Sequence, residues 1–201
     1  MIRIGVLASG RGSNLQALLD ACGEGRIDGE VAVVLSDKAD AYALERARQA
    51  GVAAIFLDPA TYGGRNAYNM ALAETLKARA IDLVCLAGYM RIVRKPLLEA
   101  YPGRMLNIHP SLLPAFPGLD AQAQALAHGV KVAGCTVHFV TEGMDEGPIV
   151  MQAAVPVLED DTVASLSERI LVEEHRIYPE AVRLFASGQL RLEGRRVLGL
   201  Y

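Results

Sequence analysis

The stretch Met1 to Ala8 (MIRIGVLA), followed at once by Ser9-Gly10-Arg11-Gly12-Ser13-Asn14, decides how this chain folds. A short apolar run stops at a glycine-rich turn, and Leu15, Leu18, Leu19 and Cys22 then recur at helical spacing. That is strand, glycine turn, helix. The alternation continues outward from there. Val31 to Leu35 reads as a second strand ending at Ser36-Asp37, and Ala41 to Ala50 as a helix stopped by Gly51. Val52 to Leu57 follows as a third strand, Asn66 to Ala80 as a helix, and Ile81 to Ala87 as a fourth strand, apolar apart from Asp82. Strands apolar along their whole length imply a parallel sheet covered on both faces.

Beyond these, Pro96 to Ala100 predicts a short helix, Arg104 to His109 a fifth strand and Ala121 to His128 another helix. Lys131 to Val140 alternates more, as expected of a strand nearer an edge. Ile149 to Val157 is a further strand whose Pro156 favours an edge or a strand end. Thr162 to Ser187 predicts a long helix interrupted near Pro179, and Leu190 to Leu200 a small closing hairpin. No repeat, low-complexity segment or linker breaks the pattern. The expectation is one α/β domain over residues 1–201. Its core is a single doubly wound, mostly parallel sheet flanked by helices, with an antiparallel strand toward the C-terminal half.

A chain of 201 residues, 52% hydrophobic and 21% charged, has an ordinary globular balance. It is long enough to bury roughly 70% of its unfolded surface. The net charge of −3 offers no positive field to draw a nucleic-acid backbone, although a local basic pocket for one phosphorylated metabolite stays open. Cys22, Cys85 and Cys135 are widely spaced, and the last two fall in apolar runs, so they read as free thiols in a reducing compartment. The first apolar run breaks at Gly10, unlike a secretory signal, and no apolar stretch approaches the ~18–20 residues that span a bilayer. A cytosolic protein with no membrane partner is expected. The acids and histidines lack any tight metal-ligand spacing, so no metal is expected.

Gly10-Arg11-Gly12-Ser13-Asn14-Leu15 supplies two glycines of the dinucleotide fingerprint, but Leu15 stands where the third would permit close packing under a pyrophosphate. No Walker lysine follows. What survives is a helix N-terminus whose N–H groups, with the Ser13 hydroxyl and Asn14 amide, suit one phosphate monoester. A plain turn with Ser13 as N-cap fits equally well.

Asn107-Ile108-His109-Pro110-Ser111-Leu112-Leu113-Pro114 carries more chemistry. Asn107 and His109, two positions apart on a strand, point to the same side, and Pro110 ends the strand there. The carboxyl end of a strand in an open α/β sheet is where ligands bind. A neutral hydrogen-bond donor beside a titratable imidazole suits a reaction that passes through an oxyanion. Asp145, between Gly143 and Gly147, could supply a carboxylate that favours the imidazolium; it could equally be a turn residue bonding its own backbone. Of the other histidines, His128 suits a helix end, while His138 shares a strand face with Thr136 and fits either a buried or a supporting role. Met90, Ile92 and Val93, after the fourth strand, read equally as an apolar slot for a flat ring or as core.

Several segments together carry a resemblance: Ala8 to Gln16, Gly88-Tyr89-Met90-Arg91-Ile92, Asn107 to Pro114, Phe116-Pro117-Gly118 and Asp145-Glu146-Gly147-Pro148. They resemble the phosphoribosylglycinamide formyltransferases, within the folate-dependent formyltransferase family, collinearly over nearly the whole chain. The resemblance implies the Rossmann-like formyltransferase fold, with phosphate and ribonucleotide binding in residues 1–100 and folate binding and catalysis in 101–201. It implies formyl transfer from 10-formyltetrahydrofolate to the amine of 5-phosphoribosylglycinamide in purine synthesis. Asn107, His109 and Asp145 would be catalytic, with Thr136 and His138 supporting them. Gly12, Ser13, Asn14 and Glu174 would bind the ribonucleotide. Arg65, Met90, Arg91, Ile92, Val93, Asn107, Thr141 and Glu142 would hold the folate. The partners implied are these two small molecules, with no nucleic acid, in a monomer or homodimer. Two relatives sharing the Asn107 to Pro114 pattern are expected to be excluded by the chain's ends. Formyltetrahydrofolate deformylase typically adds an N-terminal domain, and methionyl-tRNA formyltransferase needs a C-terminal RNA-binding one. A non-enzymatic nucleotide-binding module would leave Asn107, His109 and Asp145 without a purpose.

Overall fold

The structure, a computed structural model, describes residues 1–199; Leu200 and Tyr201, where the expected hairpin would end, lie outside the described residues. The chain forms two compact units that divide between Asn107 and Ile108.

The first unit holds β1 (Ile2–Leu7), α1 (Ser13–Gly23), β2 (Gly29–Ser36), α2 (Tyr42–Gln49), β3 (Ala53–Phe56), α3 (Arg65–Lys77), β4 (Leu83–Leu86) and α4 (Lys95–Ala100). It also takes in the first part of β5 (Met105–His109). Its strands are parallel and lie in the order β3-β2-β1-β4-β5. Ile4, Val6 and Leu7 of β1, Val33 to Leu35 of β2 and all four residues of β4 are buried, as strands covered on both faces require. Asp82, the one polar residue in the fourth apolar run, sits just before β4. Its carboxylate accepts from the Arg3 N–H while its own N–H donates to the Arg3 carbonyl, both at 2.8 Å. Strand order reverses between β1 and β4, so the loops after these two strands flank a topological switch point, where open α/β sheets bind ligands.

The second unit holds α5 (Ala121–His128), β6 (Val132–Phe139), β7 (Ile149–Pro156), α6 (Val163–Ala186), β8 (Arg191–Glu193) and β9 (Arg196–Leu198). β6 and β7 pair antiparallel and α6 packs across both. β8 and β9 form the expected hairpin, and β9 adds parallel to β7 at Ile149–Arg196. The α/β class, the mostly parallel strands and the antiparallel C-terminal part are as the sequence led us to expect.

Two expectations are corrected here. β6 does not behave as an edge strand, because every residue from Ala133 to Phe139 is buried. Its alternation comes from Thr136 and His138, polar residues that face partners inside the protein rather than water. The long helix is also not interrupted near Pro179; α6 runs unbroken from Val163 to Ala186. An interior proline costs about 3 kcal/mol. Leu166, Ile170 and Ile177 before it and Val182 and Leu184 after it form one buried stripe, and each such large side chain offsets about 1.5–3 kcal/mol. The helix start is fixed by a reciprocal Thr162–Ser165 capping box.

Candidate active site

In the first unit the glycine loop is shaped by one residue. Gly12 is the N-cap of α1 with φ 71°, so Ser13 is the first helical residue and not the cap. A Cβ at Gly12 would also lie 2.8 Å from the Cα and Cβ of Ala43, so both conformation and space demand glycine. Ser13 is half-buried and Asn14 buried in the first turn. Two outside contacts steady the loop: the Ala43 N–H donates to the Gly10 carbonyl at 3.0 Å, and Arg46 Nε to the Arg11 carbonyl at 2.9 Å. The first-turn N–H groups of a helix lie outside its own hydrogen-bond ladder, the arrangement that suits an anion.

Across the switch point, the loop after β4 carries Gly88 to Val93. Only Val93 of the expected apolar slot is buried; Met90 is 63% and Ile92 48% exposed, so these two are available to a ligand and are not core. Arg91 stacks over the Tyr68 ring with its guanidinium carbon 5.4 Å from the centroid. Arg65 begins α3, exposed, and its carbonyl accepts from Asn69 Nδ2 at 2.8 Å. Asn107 lies on β5 opposite Leu86 of β4.

The second unit assembles the titratable pair. His109, at the end of β5, is buried, with Nδ1 3.5 Å from Asp145 Oδ2 and Nε2 donating to the Phe116 carbonyl at 3.0 Å. Both ring nitrogens thus face acceptors. Asp145 takes a left-handed backbone conformation (φ 54°), which aspartate tolerates better than most residues. Its Oδ2 accepts from the Gly118 N–H at 2.8 Å and its Oδ1 lies 3.7 Å from His138 Nε2. Burial works to raise the Asp145 pKa, but hydrogen bonds from His138 and Gly118 and the positive field of the two histidines prevail, holding the carboxyl below its ordinary value. Gly147 closes the same loop: a Cβ there would fall 1.6 Å from the Phe139 carbonyl oxygen.

Behind this pair, Thr136 is buried and locks the segment after β5. Its hydroxyl donates to the Ser111 carbonyl at 2.7 Å and accepts from the Leu113 N–H at 3.0 Å and from Gln152 Nε2 at 2.9 Å. Thr141 and Glu142 are exposed on the loop leading to Asp145. Glu174 is buried on α6 near Cys135, whose thiol is pushed up to about 12 by burial first and then by that carboxylate. Cys85 and Cys135 are the buried free thiols the sequence implied, while Cys22 is half-buried. Sequence reasoning missed Ser9, Asp37, Arg46, Gly118 and Gln152. Two of these had a signal: Asp37 closes an apolar strand at its ligand-binding end, and Gln152 is the lone polar side chain in its apolar run.

Among the described residues, no helix is long and apolar enough to cross a membrane, and no group of three or more His, Cys, Asp or Glu could hold a metal ion.

Comparison with known proteins gives a consistent picture. The formyl transferase family matches residues 2–182. The phosphoribosylglycinamide formyltransferase of Escherichia coli (strain K12) is 47% identical, covering 95% of this chain and 90% of that protein. The trifunctional purine biosynthetic protein adenosine-3 of Homo sapiens is 48% identical over 94% of this chain, which spans only 19% of that longer relative. Among solved structures, glycinamide ribonucleotide transformylase 1 from Symbiobacterium toebii superposes with a TM-score of 0.99 at 72% identity, covering 100% of this chain and 95% of the other.

Proposed function

The chain belongs to the formyl transferase family, and on that premise we propose that it transfers a formyl group from 10-formyltetrahydrofolate to the amine of 5-phosphoribosylglycinamide, a step of purine biosynthesis. The observation that carries this reading is His109 held between Asp145 and the Phe116 carbonyl at a strand end, with Asn107 two residues before it on the same strand.

The bond between the amine nitrogen and the formyl carbon forms as the bond from that carbon to the folate nitrogen breaks, and negative charge gathers on the formyl oxygen in between. The Asn107 amide donates to that oxygen, and the His109 Nε2–H exchanges the Phe116 carbonyl for it, so that two donors meet the developing charge. Asp145, held ionised, orients His109 and, through water, moves the amine proton to the departing nitrogen. Gly12, Ser13 and Asn14 take the substrate's phosphate with backbone and side-chain donors, and Glu174 contacts its ribose portion. Arg65, Met90 to Val93, Thr141 and Glu142 hold the folate, with exposed Met90 and Ile92 offering apolar surface to its ring. The enzyme acts in the cytosol on small molecules and needs no metal.

The test mixes the protein with 10-formyl-5,8-dideazafolate and glycinamide ribonucleotide and follows the absorbance of the deformylated folate. Release that depends on the ribonucleotide is expected. Release without it would make the protein a deformylase, and no release would leave a binding module.

A further inference from the structure

One buried carboxylate in the first unit has no part in the roles assigned so far. Asp37 follows β2 at its carboxyl end and is 6% exposed. Its Oδ1 accepts from the Ser9 hydroxyl at 2.6 Å. The same Ser9 oxygen accepts from the Met90 N–H at 2.9 Å, and the Ser9 N–H donates to the Gly88 carbonyl at 3.1 Å. Arg91 completes the group, with Nη1 3.8 Å from Asp37 Oδ2.

The chemistry of these groups imposes a direction. An ionised carboxylate has no hydrogen to give, so the Ser9 hydroxyl must spend its single proton on Asp37. Its lone pairs are then left for the Met90 N–H. A serine hydroxyl otherwise rotates to suit its surroundings; here the buried acceptor oxygen fixes it, and with it the backbone at Met90. Hydrogen bonds to a charged acceptor are also the stronger kind. Ser9 leads directly into the glycine loop, and Met90 belongs to the loop after β4. The carboxylate therefore ties together the two loops that flank the switch point between β1 and β4.

We propose that Asp37 is a positioning residue: through Ser9 it sets the backbone of the 88–91 loop and so the affinity for the formyl folate, without touching either substrate. This rests on the function proposed above, in which that loop holds the folate.

The test compares Ser9→Ala, Asp37→Ala and Asp37→Asn in the full chain. Two quantities are read: the Kd for 5,8-dideazafolate by titration, and the KM for the formyl folate against kcat. Loss of one charge-assisted hydrogen bond corresponds to about a tenfold effect. Ser9→Ala and Asp37→Ala are each expected to raise the folate Kd and KM about tenfold while kcat falls less than about threefold. Asp37→Asn keeps an oxygen that can accept from Ser9 and is expected to bind folate within about threefold of the parent protein. Equal folate affinity in all the proteins would overturn the proposal. So would a loss that Asp37→Asn fails to restore, or one that falls on kcat with unchanged folate Kd. Ser9→Ala, the removal of a single hydroxyl, carries the test if Asp37→Ala fails to fold. If the unaltered protein shows no ribonucleotide-dependent formyl release, the proposed function fails and this inference with it; if the parent is active and only the variants disagree, Asp37 alone is wrongly assigned.

Discussion

The glycine loop of the first unit and the Asp145 loop of the second are both short, glycine-containing turns at strand ends, yet they are built on opposite principles. Around Gly12 the groups proposed to bind are backbone N–H groups, and what the sequence must supply is the absence of a side chain: φ 71° and the 2.8 Å approach of Ala43 leave no room for a Cβ. Around Asp145 the group proposed to work is a side chain, held by the Gly118 N–H and set against two imidazoles. A site made of backbone recognises charge and shape. A site made of titratable side chains moves protons. The first is broken by adding atoms, the second by exchanging one oxygen for a nitrogen.

That contrast can be broken most sharply at Asp145. Asp145→Asn keeps the size of the side chain and an acceptor for the Gly118 N–H but loses the charge facing His109. Turnover is expected to fall by at least ~100-fold, the scale of a lost transition-state stabiliser, with affinity for the ribonucleotide nearly unchanged. Steady-state rates with both substrates check this; near-normal turnover would remove Asp145 from the catalytic set.

Gly12→Ala attacks the other side of the comparison. The added Cβ meets backbone that cannot swing away, and the left-handed conformation is strained for alanine, so a stability loss of about 1–3 kcal/mol is expected in urea unfolding. Distortion of the N–H cradle should raise the KM for the ribonucleotide by about tenfold or more with a smaller change in kcat. Ser13→Ala, which leaves the cradle's N–H groups in place, should do less. A Gly12→Ala protein as stable and as tight-binding as its parent would show that the loop is not organised by its backbone.

The smallest effect concerns pH. Asp145 has a folded pKa below its unfolded one, so its contribution to stability is present above the ordinary carboxylate range and disappears as pH falls through the lowered folded value. The stability gap between the parent protein and Asp145→Asn should therefore shift against the parent as urea midpoints are taken from neutral pH into acid. A gap independent of pH would mean that the surrounding histidines and the Gly118 N–H do not favour the carboxylate.

Much of the fold could be read from residue order because its signals are local. The run MIRIGVLA followed by two glycines, the apolar Leu83 to Leu86, and Gly51 after a helix-forming stretch each act over a few residues. His109 and Asp145, which the structure brings together, stood out for a similar reason, since unusual polar residues stand beside prolines and glycines at strand ends. The misreadings share the opposite cause. Lys131 to Val140 reads as a strand nearer an edge, because Thr136 and His138 break its apolar run, until their partners Ser111, Leu113, Gln152 and Asp145 are seen, which lie outside that strand. Pro179 looks like a helix break until the buried stripe on both sides of it is counted.

Residue order alone determined the alternation of strands and helices and the types of group available for chemistry, because these follow from backbone sterics and short-range periodicity. Only the tertiary structure decided which groups meet. It set Asp145 against His109 and the Gly118 N–H, left Met90 and Ile92 exposed while burying Val93, and placed Asp37 on the hydroxyl of Ser9. Hydrogen bonds and charge pairs act over a few ångströms in space, and the residues that make them here lie tens of positions apart in the chain.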